Sequence, residues 1–367
     1  MLVDFGNAPG QTNDRFEAIA EDIERETGGH LNVLVISHEH LDHIEGFYST
    51  KEIFGDPARM TIDYVWMGLP SDPDYYTDFP AAEPHLKLVE AAAAYGKALA
   101  GRSLDLAPGF ATMIRNNDLS NLDRLNFIKG LPTKSVKYLR RGNRTQNRSF
   151  TDAAVRILAP EKDVSVYYSD SAHNNLGALA AALGPATGGA ANRTRGALED
   201  WWSFPKAERV RSGRPPNLTA RDWNTLKSGI EGGGPEAIRT IDKAQNNTSL
   251  VFILEADGKR LLFPGDAELE SWRILEQENS AEMKPVDFLK VSHHGSHNGS
   301  LATVLDKVLP RENAANATVM VSTKSKVYGT VNPVPDEDTM ADLRERCSRF
   351  ISTEDDLEGL FVEVILD

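Results

Sequence analysis

Two short stretches of the chain concentrate groups that bind metal. Six of its nine histidines lie in Ser37-His38-Glu39-His40-Leu41-Asp42-His43 and in Val291-Ser292-His293-His294-Gly295-Ser296-His297. Imidazole and carboxylate are good donors for Zn2+ and related divalent ions, and a single cysteine puts a Cys-only site out of reach. In a loop leaving a strand, His38 and His40 alternate onto one side while Asp42 and His43 turn toward a neighbouring point. That layout suits two adjacent cations. A third stretch, Phe263-Pro264-Gly265-Asp266-Ala267, reads as a strand, a tight turn and an Asp at a helix start. Alone, Asp266 reads as a helix N-cap. Beside the two histidine clusters it reads as a carboxylate bridging the two cations.

The elements that must position these groups alternate between strand and helix at both ends of the chain. Phe16, Ile19, Ala20 and Ile23 follow helical spacing after a cap at Asn13 or Asp14, and Gly28-Gly29 stops that helix. Leu31–Ile36 is an apolar run of buried-strand type that leads straight into the first cluster. Ser249–Glu255 and Arg260–Phe263 flank Asp257-Gly258, a hairpin signal. Ala267–Glu276 reads as a helix and Val286–Val291 as the strand that leads into the second cluster. Leu301, Val304, Leu305 and Val308 share one helix face, and Val319–Ser322 is a further strand. A helix over Asp336–Arg346 buries Met340 and Leu343, with Cys347 at core spacing as an inert thiol. Leu360–Leu366 is expected as a closing strand. Two middle stretches, about 68–133 and 168–243, are Pro-, Ala- and Gly-rich, with a helix over Leu86–Ala100. They read as insertions into a single domain, 1–367, assembled from both ends.

The motifs His38-x-His40-x-Asp42-His43, Gly265-Asp266 and His293-His294-Gly295-Ser296 resemble the metallo-β-lactamase-fold hydrolase superfamily. Three further segments are similar to its ComEC-like branch: Asn246-Asn247-Thr248-Ser249, Pro264-Gly265-Asp266-Ala267-Glu268 and Leu289-Lys290-Val291-Ser292-His293-His294. The resemblance implies an α/β fold, a four-layer αβ/βα sandwich with the metal site at one edge. It implies two divalent metal ions, Zn2+ first and Mn2+ second. His38 and His40 would bind the first. Asp42, His43 and one of His293/His294 would bind the second, with His293, as the residue nearer the strand, the expected ligand. Asp266 would bridge, and Asp4 in Asp4-x-Gly6 would orient the histidine loop. His294 would contact substrate or support the ligands, and His297 reads as a surface histidine before a proton donor. Asp42 or Asp266 would orient a hydroxide nucleophile, and backbone N–H groups at Gly295 and Ser296 would meet the developing charge. Two positions depart from the family pattern. Only His85 and His173 lie between the first cluster and Gly265-Asp266, and Asn332 follows Tyr328-Gly329 where the branch has a histidine.

Charge and composition bear on the substrate. With 40 Lys+Arg against 54 Asp+Glu the 367-residue chain carries −14, which argues against a general nucleic-acid coat. Locally the sign reverses: Lys134, Lys137, Arg140, Arg141, Arg144 and Arg148 form a tract with no acidic residue between them. Lys206, Arg209, Arg211, Arg214 and Arg221 lie among Trp201, Trp202 and Trp223. These tracts read either as a groove for phosphate or single strands, with Arg140 and Arg141 at its centre, or as a solvated face over a packed insertion. A phosphodiester, small or nucleic-acid, is the first expectation for the substrate. Small esters, lactones or phosphocholine-type compounds follow, then an inactive metal-binding or regulatory relative. Met1-Leu2-Val3-Asp4-Phe5 has no basic segment followed by an apolar one and does not read as a signal peptide, and the most apolar tract, Leu176–Gly184, falls short of the ~20 residues of a membrane span. The expectation is a cytoplasmic protein without a membrane partner.

Overall fold

From Tyr64 to Met67 the side chains alternate between two interiors, as a strand buried on both faces requires. Tyr64 and Trp66 enter one core, Val65 and Met67 another. The structure, a computed structural model, describes residues 1–8, 11–83, 85–86, 89, 108–116, 121–145, 152–168, 234–325, 327, 333–355 and 359–366. Arg148, His173, the tryptophans at 201, 202 and 223, the basic residues from Lys206 to Arg221, Tyr328-Gly329, Asn332 and most of Leu86–Ala100 lie outside the described residues.

Among the described residues the strands form two sheets. The first holds four parallel strands in the order β1 (Leu2–Val3), β2 (His30–Val35), β3 (Thr61–Gly68) and β4 (Ser135–Leu139). The second is mixed and contains β5 (Arg144–Thr145), β6 (Ala153–Ala159), β7 (Val251–Ala256), β8 (Lys259–Phe263), β9 (Phe288–Lys290), β10 (Thr318–Val321) and β11 (Arg349–Ser352). From β5 to β8 neighbours run antiparallel, and from β8 to β11 parallel. The β7–β8 hairpin turns at Asp257 and Gly258, with φ of 50° and 76°, the left-handed pair that a two-residue turn demands.

Ten α-helices lie among the described residues. They are α1 (Phe16–Thr27), α2 (Leu41–Ser49), α3 (Lys51–Phe54), the short α4 (Tyr75–Asp78), α5 (Pro108–Asn116), α6 (Leu122–Lys129), α7 (Gly234–Asn247), α8 (Leu269–Glu278), α9 (Ala302–Val308) and α10 (Glu337–Glu345). One core joins α1, α2, α3 and α6 to the first sheet through Phe16, Phe47, Phe54, Leu125 and Met67. A second lies between the sheets and contains Val33, Val35, Trp66, Ile157 and Phe252. The third joins α8, α9 and α10 to the second sheet through Trp272, Leu275, Val304, Val319 and Leu343. The protein is therefore mixed α/β, with one parallel and one mixed sheet. No helix among the described residues is long and apolar enough to cross a membrane.

The chain divides into two compact units. The first comprises Met1–Tyr75, Leu122–Tyr167 and Gln245–Asp367, and holds both sheets. The second comprises Tyr76–Asn121 and Tyr168–Ala244. Within it α5 ends where the Asn121 side chain donates to the carbonyls of Arg115 and Asn116, and the His85 ring stacks on Tyr168 at 4.2 Å. Residues 122–129 were expected inside an insertion, yet α6 buries Leu125 and Ile128 in the first unit's core.

Two other expectations fail locally. Arg15, not Asn13 or Asp14, occupies the N-cap of α1, without a side-chain cap. No strand forms over Leu360–Leu366: β11 is the last strand, and Phe361 and Ile365 stay exposed. Apolar composition marks a strand only where a sheet edge is free to pair with it. Cys347 packs against the third core and donates to the Leu343 carbonyl at 3.2 Å, and burial raises its thiol pKa, as an inert core position requires.

The first sheet's outer core turns on Phe47, fully buried with ring contacts to Phe5 at 5.6 Å and Phe54 at 5.0 Å. Phe47→Ala should cost about 3–5 kcal/mol in urea unfolding. Leu122→Ala on the exposed side of α6 should stay within about 0.5 kcal/mol of the parent.

Candidate metal centre

The first histidine cluster is held in place by Asp4. Its carboxylate accepts three hydrogen bonds: from Ser37 N at 2.7 Å, Ser37 Oγ at 2.6 Å and His43 Nδ1 at 2.8 Å. Asp4 itself sits at φ 54°, a left-handed conformation that turns the chain out of β1 and toward α2. Phe5 N then donates to the His43 carbonyl at 2.8 Å. Gly6 follows because a Cβ there would lie 2.5 Å from the backbone of Asp42. Asp42 and His43 fall on the first turn of α2, and the Asp4 contact at Nδ1 directs the His43 Nε2 atom inward.

The three sequence clusters converge on one oxygen. Asp266 Oδ2 lies 3.4 Å from His43 Nε2, 3.4 Å from His294 Nε2 and 3.9 Å from His38 Nε2. His294 Nε2 also stands 3.2 Å from Asp42 Oδ2, and its Nδ1 meets the Ser322 carbonyl at 2.9 Å. His38, Asp42 and His43 form one set of ligand atoms within 4.8 Å of one another, and His43, Asp266 and His294 form another. Asp266 is not an N-cap, since Glu268 holds that place for α8. Gly265, at φ 56°, brings the Asp266 turn against Ser37 and Ser249, where a Cβ would stand 2.9 and 3.0 Å from theirs.

The donor set fits divalent cations. His38 Nε2 and His43 Nε2 are buried and have no hydrogen-bond partner, although both face Asp266. Buried polar atoms rarely lack a partner, and an ion between these nitrogens and Asp266 would supply one. Electrostatics agree. Burial, followed by the charges of His43 and His40, pushes His38 well below the ordinary histidine range and keeps it neutral. Burial works in the same sense on His43, but the charges of Asp266 and Asp4 outweigh it and raise His43 well above that range. For His294 the same contest, against Asp266 and Asp42, ends at about 10. Burial would raise both carboxylates, yet Asp42 and Asp266 stay below the usual carboxylate range. For Asp42 the His294 hydrogen bond and the His43 charge prevail; for Asp266 the charges of His43 and His294 do.

The second cluster differs from the expected order. His294, not His293, reaches Asp42 and Asp266. β9 ends at Lys290, so strand alternation no longer applies, and the chain enters a tight turn with φ of 44° at His293 and 54° at His294. Two consecutive left-handed non-glycine residues rotate His293 away, toward Glu268 Oε1 at 3.3 Å and Ser296 Oγ at 2.9 Å. Gly295 and Ser296 also depart from their expected role. Their N–H groups donate to the carbonyls of Ser292 and His293 and close the turn. A Cβ on Gly295, at φ 79°, would lie 2.5 Å from Met340. His40 falls in neither ligand set: its ring meets His38 at 4.7 Å, and its Nε2 stands 3.2 Å from Gln245 Oε1. His297 is exposed.

Arg140 and Arg141 lie between β4 and β5. The Arg141 guanidinium is paired with Glu161 at 2.6 Å and Glu278 at 3.6 Å, and Arg140 bonds the Arg141 carbonyl at 3.2 Å. Lys134 pairs with Asp63 at 2.8 Å. The basic tract has no acid of its own but meets acids from elsewhere in the chain.

Sequence reasoning gave no role to the buried group that supports the histidine turn. The Glu268 carboxylate receives Asn246 Nδ2 at 2.8 Å and Asn298 Nδ2, while Asn247 Oδ1 accepts from Glu268 N at 3.0 Å and Ser271 N at 2.9 Å. The adjacent Asn246-Asn247 pair was the available signal.

The exchange of roles between the two histidines can be read by metal analysis. His294→Ala should bind about one equivalent of Zn2+ less than the parent, while His293→Ala should keep the parent stoichiometry. Metal loading should also release protons. His43 and His294 are raised above neutrality in the metal-free protein and must shed their protons to ligate, so affinity should rise with pH. The Zn2+ binding enthalpy at pH 7.5 should then change with the ionisation enthalpy of the buffer; a buffer-independent value would refute this.

No family model matches the chain, nor does any curated protein, so the functional reading rests on the site's own chemistry.

Proposed function

We propose that the protein is a metal-dependent hydrolase of the metallo-β-lactamase fold acting on a phosphodiester. One observation carries the proposal: a single carboxylate oxygen of Asp266 lies within 3.9 Å of imidazole nitrogens from His38, His43 and His294. In this reading His38 and Asp266 serve one divalent ion, and His40, whose ring meets that of His38 at 4.7 Å, would join them by turning its Nε2 from Gln245. Asp42, His43 and His294, again with Asp266, serve the other. Zn2+ fits the imidazole and carboxylate donors best, ahead of Mn2+. Bound there, such ions supply Lewis acidity and a water nucleophile available near neutral pH.

The chain's own residues do the positioning. Asp4 fixes the ring of His43, and the Ser322 carbonyl fixes that of His294, so both Nε2 atoms converge on the same space. Asp42 and Asp266, held ionised, accept hydrogen bonds from a reactant between them and orient it. Two adjacent donor sets sharing Asp266 favour a phosphodiester over a carboxylic ester, because in-line displacement at phosphorus places charge on both the entering and the leaving oxygen. The ion pairs of Lys134 and Arg141 leave less of the basic tract for a long strand, which favours a small phosphodiester over nucleic acid.

The test is metal analysis followed by turnover of bis-p-nitrophenyl phosphate. The parent should hold two equivalents and hydrolyse the diester, chelation should abolish the activity, and added Zn2+ or Mn2+ should restore it. Asp42→Ala and Asp266→Ala should each lower kcat/KM at least about 100-fold, since loss of outer partners alone costs 10–100-fold in such sites. A metal-free protein without turnover would instead be an inactive relative.

A further inference from the structure

The second sheet delivers a cation as well as ligands to this region. Lys290 is the last residue of β9, four positions before His294. Its neighbours Leu289 and Val291 are buried in the outer core of that sheet, so Lys290 projects from the opposite face, toward the first sheet. Phe288, which shares that face, meets the ring of Phe263 at 5.7 Å, and Phe263 packs on the core between the sheets. Lys290 is partly buried, and its side chain makes no hydrogen bond or ion pair among the described residues. Burial lowers its pKa from the ordinary lysine value, and the carboxylates of Asp266 and Asp4 oppose that shift. An ammonium in this position, without a direct partner, would be costly unless the surrounding charges or a ligand call for it.

We propose that Lys290 is a resident cation of the metal centre, which weakens its hold on divalent ions and keeps its field positive enough to favour an anionic substrate over a neutral one. The charges around the site explain the two effects. Asp4, Asp42 and Asp266 provide three negative charges, and two divalent ions would outweigh them by one. Lys290 adds a further positive charge through a low-polarity region, where Coulomb interactions act over longer distances than in water. It therefore repels an incoming metal ion and attracts an incoming phosphodiester, with opposite signs. Lys290 is a positioning residue, acting through Asp266 and Asp4. The substrate half of the inference rests on the hydrolase reading above, and the metal half does not.

The experiment compares the parent with Lys290→Met and Lys290→Arg at one pH and ionic strength. Zn2+ affinity is measured by competition with a chromophoric chelator. Turnover is measured on bis-p-nitrophenyl phosphate, an anion, and on p-nitrophenyl acetate, which is neutral. Lys290→Met should bind Zn2+ roughly tenfold more tightly or better, and its kcat/KM for the diester should fall roughly tenfold relative to that for the acetate. Lys290→Arg, which keeps the charge, should resemble the parent in both respects. Near-ultraviolet circular dichroism checks that each variant is folded, and a misfolded Met variant passes the decision to Lys290→Gln. Unchanged or weaker Zn2+ binding in the folded neutral variant overturns the inference, as does equal loss on both esters. If the parent hydrolyses neither ester, the hydrolase reading fails on its own, and the affinities still decide the role of Lys290.

Discussion

Three hydrogen bonds to the Asp4 carboxylate hold the histidine loop to the first strand, and the geometry of the candidate site depends on them. A partly buried carboxylate needs donors to offset its lost hydration, and Ser37 and His43 provide them within 2.8 Å. The bonds work in both directions. They keep Asp4 in place, and they fix the backbone of Ser37 and the imidazole of His43, so that the residues on either side start from set positions. The close approach of Gly6 to the backbone of Asp42 adds a steric constraint to the polar one. Charge, hydrogen bonding and packing all hold α2 with its first turn toward Asp266.

The second sheet meets this arrangement with a different device. The His293–His294 turn keeps two non-glycine residues in left-handed conformations, each costing of order 1–3 kcal/mol. Such a turn persists only when its surroundings determine it. Glu268, almost fully buried, gathers Asn246, Asn298 and His293, while Ser292 Oγ donates to the Ala267 carbonyl at 2.6 Å. The turn is thereby tied to the loop that carries Asp266. The polar network and the apolar core beneath it, with Val291 and Leu289, divide the work: one sets orientation, the other supplies the burial.

Much of this was legible in the sequence because local chemistry and local periodicity agreed. His38, Asp42, His43 and Asp266 were found from donor type and spacing, and Asp257-Gly258 from turn chemistry. The failures share a cause. The choice between His293 and His294 depended on where β9 ends and on backbone angles that residue types do not encode, since a left-handed histidine is the exception. Leu360–Leu366 has strand composition, but pairing is a property of the neighbouring edge. Residues 122–129 looked like part of an insertion because the anchoring contacts of Leu125 and Ile128 lie in distant segments. Likewise the partners of Arg141 and Lys134, Glu161 and Asp63, are set by the register of the sheets and not by the tract itself. The four-layer family architecture and the identity of the ions stand as proposals beside these observations.

The ligand sets described above are drawn from both sheets: Asp42 and His43 from the first, Asp266 and His294 from the second, with Val33, Trp66 and Phe252 filling the seam between them. A cation held by both sides would act as a rivet across that seam. Binding only when the two halves are docked, it would add its binding free energy to the docking free energy by mass action, roughly 4 kcal/mol at a thousand times the dissociation constant. Chain segments more than two hundred residues apart would then be held by one ion, and a chelator would act on the protein as a mild denaturant directed at a single seam.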